Sequence, residues 1–224
     1  MTASIGPFAR RLLPGLTLVA AAAAAQEMPA PTFAVGDSWS FRETDLMTKN
    51  ETGQITETVV KADATEYVID ARRKARTWWR GDAVKRVHRE QFEFSEGGAD
   101  QRGKTIATND AGCAYPYPLK VGASWECSEF ATWPSGLKVR YDMKFSVEAV
   151  ESVETAAGKF DTLRLVAKGF TKNEDTGAVS RQERIIWVSP AAKRDVKYEI
   201  RTILKNGNIF RVEGRELTAL KTGA

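Results

Sequence analysis

LKVRYDMKFSVEA, from Leu137 to Ala149, is the stretch that decides the fold. Leu137, Val139, Tyr141, Met143, Phe145, Val147 and Ala149 are apolar, and Lys138, Arg140, Asp142, Lys144, Ser146 and Glu148 stand between them. In an extended chain successive side chains point to opposite faces, so this unbroken period of two places one face in a core and the other in water. The run predicts a long, half-buried strand.

The same pattern spreads outward from it. Val196, Tyr198 and Ile200 alternate with Lys197, Glu199 and Arg201, and Leu163, Leu165 and Ala167 do so less cleanly. Phe92 and Phe94 lie between Gln91, Glu93 and Ser95. Turn residues separate the runs: Asn206-Gly207 is a strong hairpin signal, and Pro134-Ser135-Gly136, Asp175-Thr176-Gly177, Gly81-Asp82, Thr52-Gly53 and Ala157-Gly158 act likewise. No long segment keeps apolar residues at helical spacing. Short connections favour antiparallel pairing, because parallel strands need long crossovers. The expected fold is all-β: a mainly antiparallel curved sheet, half-barrel or sandwich spanning residues 33–218, with a tail at 219–224.

An internal echo accompanies the pattern. Phe33-Ala34-Val35-Gly36-Asp37-Ser38-Trp39 resembles Leu119-Lys120-Val121-Gly122-Ala123-Ser124-Trp125, with Val-Gly-x-Ser-Trp in common. Each copy turns at its glycine and opens a strand with a tryptophan. Two related halves, about 33–112 and 117–218, are expected.

The first residues read as an address. Arg10 and Arg11 precede an apolar stretch from Leu12 to Ala22, and Ala23-Ala24-Ala25 supplies small residues for cleavage before Gln26. This is the order of a secretory signal peptide over 1–25, followed by an extended leader over 26–32 that holds Pro29 and Pro31. The apolar stretch is shorter than the roughly 20 residues of a membrane span and is interrupted by Pro14 and Gly15. Export by the general route fits its flanks better than the twin-arginine route. The mature chain, periplasmic or secreted, carries no other candidate span. Its charge drops from +4 to +2 once Arg10 and Arg11 are gone. The remaining bases are scattered among acids, so nucleic acid is not an expected partner.

Composition narrows the chemistry further. His88 is the only histidine, so sites built from several imidazoles are excluded, and two cysteines are too few for a four-cysteine zinc site. In an oxidising compartment Cys113 and Cys127 are expected to pair as a structural disulfide. Their spacing is not that of a redox motif. No metal and no cofactor are expected, and no P-loop or dinucleotide fingerprint occurs.

Three strings look catalytic and are weighed against plainer readings. Asp175-Thr176-Gly177-Ala178 matches the loop of aspartic proteases, but Lys172-Asn173-Glu174 precedes it where an apolar strand should be. A hairpin turn is the better reading. Gly36-Asp37-Ser38 resembles the serine block of GDS-type esterases, whose histidine base near the C-terminus is missing here. His88, within Val84-Lys85-Arg86-Val87-His88-Arg89-Glu90, reads as an edge or surface residue of a strand. No catalytic residue is assigned. The tryptophans are the remaining candidates. Trp39 and Trp125 open the two related strands, and Trp78 and Trp79 point to opposite faces if extended. Core packing is the plain reading, and an apolar ligand cavity lined by Trp39, Trp78, Trp79 and Trp125 is the functional one.

The C-terminal part carries a further string. Ala157-Gly158-Lys159-Phe160-Asp161-Thr162-Leu163-Arg164-Leu165 is followed by Trp187-Val188-Ser189-Pro190 and Val196-Lys197-Tyr198-Glu199. Together with Pro118-Leu119-Lys120-Val121-Gly122, this resembles exported bacterial β proteins of unknown function, some of them similar to lipoprotein-carrier half-barrels. The resemblance covers about residues 117–218 and implies a fold rather than an activity. The expected function is that of an exported, non-enzymatic envelope protein that binds a lipid-like, apolar or amphipathic ligand in a β cavity. A module that docks on other envelope proteins is the alternative, and a hydrolase with an unfamiliar site comes third.

Overall fold

The computed structural model describes residues 27–62, 67–76, 87–94, 98–99, 105–106, 115–132 and 138–222. Twelve strands are seen: β1 (Ser38–Asp45), β2 (Asn50–Ala62), β3 (Tyr67–Arg76), β4 (Val87–Phe94), β5 (Gly98–Ala99), β6 (Thr105–Ile106), β7 (Ser124–Thr132), β8 (Lys138–Thr155), β9 (Gly158–Asn173), β10 (Val179–Ser189), β11 (Arg194–Leu204) and β12 (Ile209–Lys221). Ten of them form one antiparallel sheet in the order β4-β3-β2-β1-β12-β11-β10-β9-β8-β7, and β5 pairs with β6. β4 and β7 are the two ends of that order, so the described sheet is open, neither a closed barrel nor a sandwich. The meander from β7 to β12 continues into β1 through the β1–β12 pairing, which joins the two halves of the chain.

The sheet curls strongly. With strands about 4.8 Å apart, β8 and β12 would stand about 19 Å apart in a flat sheet. Instead Ala157, in the turn after β8, donates its backbone N–H to the Leu217 carbonyl of β12 at 3.3 Å. Its neighbour Ala156 donates to the Glu216 carboxylate at 3.1 Å. Bulges feed the curl by adding local twist: they lie between Val147 and Ala149, Trp187 and Val188, and Ser40 and Phe41. The first corrects the opening strand. Tyr141, Met143, Phe145 and Val147 are buried as their alternation demands. The bulge leaves no residue of β9 opposite Glu148 in the register, so Ala149 pairs with Arg164 on the other face. A one-residue slip reverses every side chain beyond it.

Two apolar clusters hold the sheet. Tyr141, Met143, Phe145, Val147, Leu163, Leu165, Ala167, Ile186 and Val188 line one face of β8–β10, and Met28 and Leu119 pack on them from above. The second cluster gathers Trp39, Phe41, Ile55, Val59, Phe160, Trp187, Val196 and Leu217. The face that carries the first cluster is called the core face below.

Both Val-Gly-x-Ser-Trp segments form the same turn. Gly36 and Gly122 have φ of 92° and 89°, a left-handed conformation that suits glycine. Asp37 N bonds Ala34 O and Ala123 N bonds Lys120 O, each at 3.0 Å. Gly36 N reaches Val59 O at 2.8 Å, and Gly122 N reaches Val147 O at 2.9 Å. Ahead of the first turn, Met28 is fully buried and exchanges two 2.8 Å backbone hydrogen bonds with Leu119. At the other end β12 continues to Lys221, three residues past the expected boundary at 218.

Candidate functional site

The two described tryptophans of the predicted set are held differently. Trp39 is fully buried at the start of β1, and its indole N–H donates to the Ala192 carbonyl at 2.8 Å. Phe33 meets it edge-on at 5.6 Å. Trp125, at the start of β7, is half-buried and stacks nearly parallel on Phe145, 5.1 Å between centroids. Tyr115 meets its edge at 5.9 Å. Its Nε1 is shut from solvent and makes no hydrogen bond among the described residues. Trp39 and Trp125 belong to different clusters, so they do not share one pocket wall. Trp78, Trp79 and Cys113 lie outside the described residues. Cys127 lies on β7, opposite Met143, and is not a free thiol.

The look-alikes at Asp175 and Asp37 are structural. Asp175 and Thr176 sit in the turn between β9 and β10, where their backbone N–H groups donate to the Asn173 side chain at 2.9 and 3.0 Å. Asp37 is buried, accepts the Ala34 N–H at 2.9 Å and receives Lys193 Nζ at 2.7 Å. Ser38 Oγ lies 3.0 Å from Thr58 Oγ1. His88 is on β4 opposite Ala75. Among the described residues no three His, Cys, Asp or Glu side chains come together as a metal site.

The densest polar group in the described structure was not expected from the sequence. Glu57 of β2, Arg194 and Asp195 of β11 and Arg215 of β12 form a buried, charge-balanced network. Arg194 pairs with Glu57 and with Asp195, the latter at 3.3 Å. Arg215 donates to Asp195 at 2.9 Å and lies 3.4 Å from Glu57. The guanidinium of Arg194 rests over the rings of Trp39 and Phe41, at 5.1 and 5.0 Å, and that of Arg215 over Phe41 and Tyr198, at 4.4 and 4.6 Å. Burial alone would raise the Asp195 pKa, but the two guanidiniums outweigh it and hold the carboxyl below the usual carboxylate range. Burial pushes the Tyr115 and Tyr117 hydroxyls well above theirs. A signal for the network existed. In Ile55-Thr56-Glu57-Thr58-Val59 the period of two places Glu57 between two core residues, and an acid there demands a buried base.

The face opposite the core carries cross-strand rows. One runs Phe130, Arg140, Lys172, Val179, and the next runs Ser128, Asp142, Phe170, Arg181, Ile203, Ile209. Phe130 and Phe170 are 64% and 55% exposed, and Phe210 beside Ile209 is 64% exposed. The charges among them are paired with residues two positions along the chain: Arg140 with Asp142 at 3.0 Å, Lys172 with Glu174 at 3.2 Å, Arg181 with Glu183 at 3.6 Å. Beyond these rows lies a shallow groove of about 270 Å³ floored by Val166, Ile185 and Val212 and edged by Arg164, Lys168, Glu183, Glu199 and Arg201.

Neither a protein family nor a curated protein matches the chain by sequence. Two solved structures share its fold. One is a "putative lipoprotein" from Parabacteroides distasonis, 13% identical, with a TM-score of 0.54 over 87% of this chain and 99% of the other. The other is a "putative exported protein with YmcC-like fold" from Bacteroides fragilis, 10% identical, with a TM-score of 0.50 over 87% of this chain and 100% of the other. The chain therefore has the fold of these two bacterial proteins. At such identities the likeness concerns the fold alone.

Proposed function

We propose that the chain is exported, loses its signal peptide near Ala25, and serves the cell envelope as a non-enzymatic protein that binds an apolar or amphipathic ligand. The ligand lies against the core face of the curved sheet. One observation carries this reading. Among the described residues, the apolar strip of β8–β10 is covered by Met28 and by Tyr115, Tyr117 and Leu119, from two segments outside the named strands that meet through a bridge between Met28 and Leu119. A sheet normally buries its apolar face under another regular layer. A cover of short segments is one that can give way. The two proteins that share the fold, a "putative lipoprotein" and a "putative exported protein", agree with a place in the envelope. In this reading the Cys113–Cys127 disulfide braces the approach to β7, and the two Val-Gly-x-Ser-Trp halves are pseudo-repeats.

Native mass spectrometry of the protein purified from its own periplasm tests the reading. The expected result is a second species heavier by a lipid-sized mass, lost on extraction with organic solvent. A single ligand-free mass, together with no uptake of added lipid, would overturn it.

The exposed Phe130, Phe170, Ile209 and Phe210 favour a second reading, a surface that docks on another envelope protein. Cross-linking in intact cells distinguishes the two. A defined partner band that disappears in Phe130→Ser/Phe170→Ser, with ligand uptake unchanged, would assign the outer face to a partner.

A further inference from the structure

We propose that the seat of Met28 on the core face is the ligand site, and that Met28 competes with the ligand's apolar tail for it. An acyl-chain amphiphile then enters by displacing residues 27–32. This rests on the ligand reading above and adds where the ligand sits and which part of the chain yields.

Met28 is fully buried in the cluster formed with Leu119, Met143, Phe145, Leu163 and Leu165. Its unbranched, flexible thioether is the protein side chain nearest in shape to a length of alkyl chain. The segment that delivers it is lightly held. Upstream it has the two backbone hydrogen bonds with Leu119. Between Met28 and the turn lie Pro29 and Pro31, which have no N–H and cannot extend a ladder. Glu27, Pro29 and Thr32 are exposed. Downstream the hold is firm. Gly36 N bonds Val59 O at 2.8 Å, and buried Asp37 receives Lys193 at 2.7 Å. The segment can therefore swing out on a fixed hinge without disturbing β1.

Trp125 supplies the polar end of the site. It packs against the same cluster, and its indole N–H is buried without an acceptor among the described residues. A buried donor without an acceptor is costly, and a ligand oxygen would satisfy it. The equivalent tryptophan of the other half, Trp39, already donates to Ala192. This asymmetry places the site in the second half and calls for a ligand that joins an apolar tail to an acceptor, such as a fatty acid or another acyl lipid.

The test titrates the mature full-length chain with a long-chain fluorescent fatty acid and follows urea unfolding in parallel. Met28→Asp, which expels the segment from its apolar seat, is expected to bind the probe about tenfold tighter than the unaltered chain, because the competing state is removed. Met28→Leu, which keeps the seat filled, is expected to bind like the unaltered chain. Trp125→Phe placed on Met28→Asp keeps the ring stack and is expected to lose several-fold affinity for the fatty acid but none for an alkane of equal length. If Met28→Asp does not unfold cooperatively, Met28→Ala is read by the same criteria. A folded variant that binds no tighter than the unaltered chain overturns the inference. If that binding is equally strong in both, the ligand reading survives, and if neither binds, both fall.

Discussion

Asp37 and Lys193 are 156 positions apart in the chain and 2.7 Å apart in the fold, with the aspartate fully buried. The pair ties the turn that opens β1 to the turn between β10 and β11. It therefore locks the first half of the sheet to the second. Ala123 takes the place of Asp37 in the other copy of the turn, so the turn itself tolerates alanine. Asp37→Ala should keep the fold and lose the tie. The expected cost is about 2 kcal/mol, the worth of hydrogen bonds to a charged group, tempered because Lys193 can reach water. Urea unfolding checks it: an unchanged midpoint would mean that the pair contributes nothing.

The buried network makes stability depend on acid. The folded Asp195 carboxyl lies below its ordinary pKa of 3.8, because Arg215 and Arg194 outweigh the effect of burial. Around pH 4 the unfolded chain thus binds more protons than the folded one, so stability falls as the pH falls. The contribution is complete above the unfolded pKa and is lost as the pH drops through the folded value. Urea midpoints measured from pH 7 to pH 3 should be level at first and decline below about pH 4. Asp195→Asn should be less stable at pH 7, with a shallower acid limb. Parallel curves for the two proteins would remove Asp195 from the account.

Two glycines give opposite forecasts for the same substitution. A Cβ on Gly169 would lie 2.0 Å from the Asp142 carbonyl oxygen and 2.8 Å from the Met143 Cα. Those atoms belong to the neighbouring strand's backbone, which must move. Gly169→Ala should cost about 3 kcal/mol or prevent folding. At Gly214 the nearest atoms are the side chain of Leu46, between 3.0 and 3.3 Å away, and a leucine can turn aside. Gly214→Ala should cost less than about 1 kcal/mol. Thermal melts of the two variants side by side decide the matter, and equal melting temperatures would contradict the reasoning.

The cysteines invite a chemical check. Thiol labelling of the native exported protein should leave Cys113 and Cys127 unmodified until a reductant and denaturant are added. Removing the bridge by Cys113→Ser/Cys127→Ser should cost about 3 kcal/mol, as expected for a loop of this length. Labelling of both residues in the native protein would refute the pairing.

The strand from Lys138 onward was readable because its period of two follows directly from the geometry of an extended chain, and Asn206-Gly207 could be read as a turn because few residues tolerate that conformation. The structure has Asn206 and Gly207 between β11 and β12, with Gly207 at a φ of 86°. The reversal at Ala149 could not be read. A bulge depends on how a strand pairs with its neighbour, and pairing is not local. For the candidate site, the sequence singled out Trp125 without saying what it touches. It gave no sign that Met28, in a stretch that reads as an extended leader, would be among the most buried residues.

All-β class, antiparallel order and the turns at Ala157-Gly158, Asp175-Thr176-Gly177 and Asn206-Gly207 were therefore set by the sequence itself, because each depends on neighbours within a few positions. Thr52-Gly53, expected as a turn, lies inside β2 instead, because the chain reverses just before it, after Asp45. The open sheet, its curl, the network of Glu57, Arg194, Asp195 and Arg215, and the burial of Met28 were decided only by tertiary structure. Each joins residues far apart in the chain. Desolvation, ion pairing and packing act through space, and only the closed fold brings those partners within a few ångströms of one another.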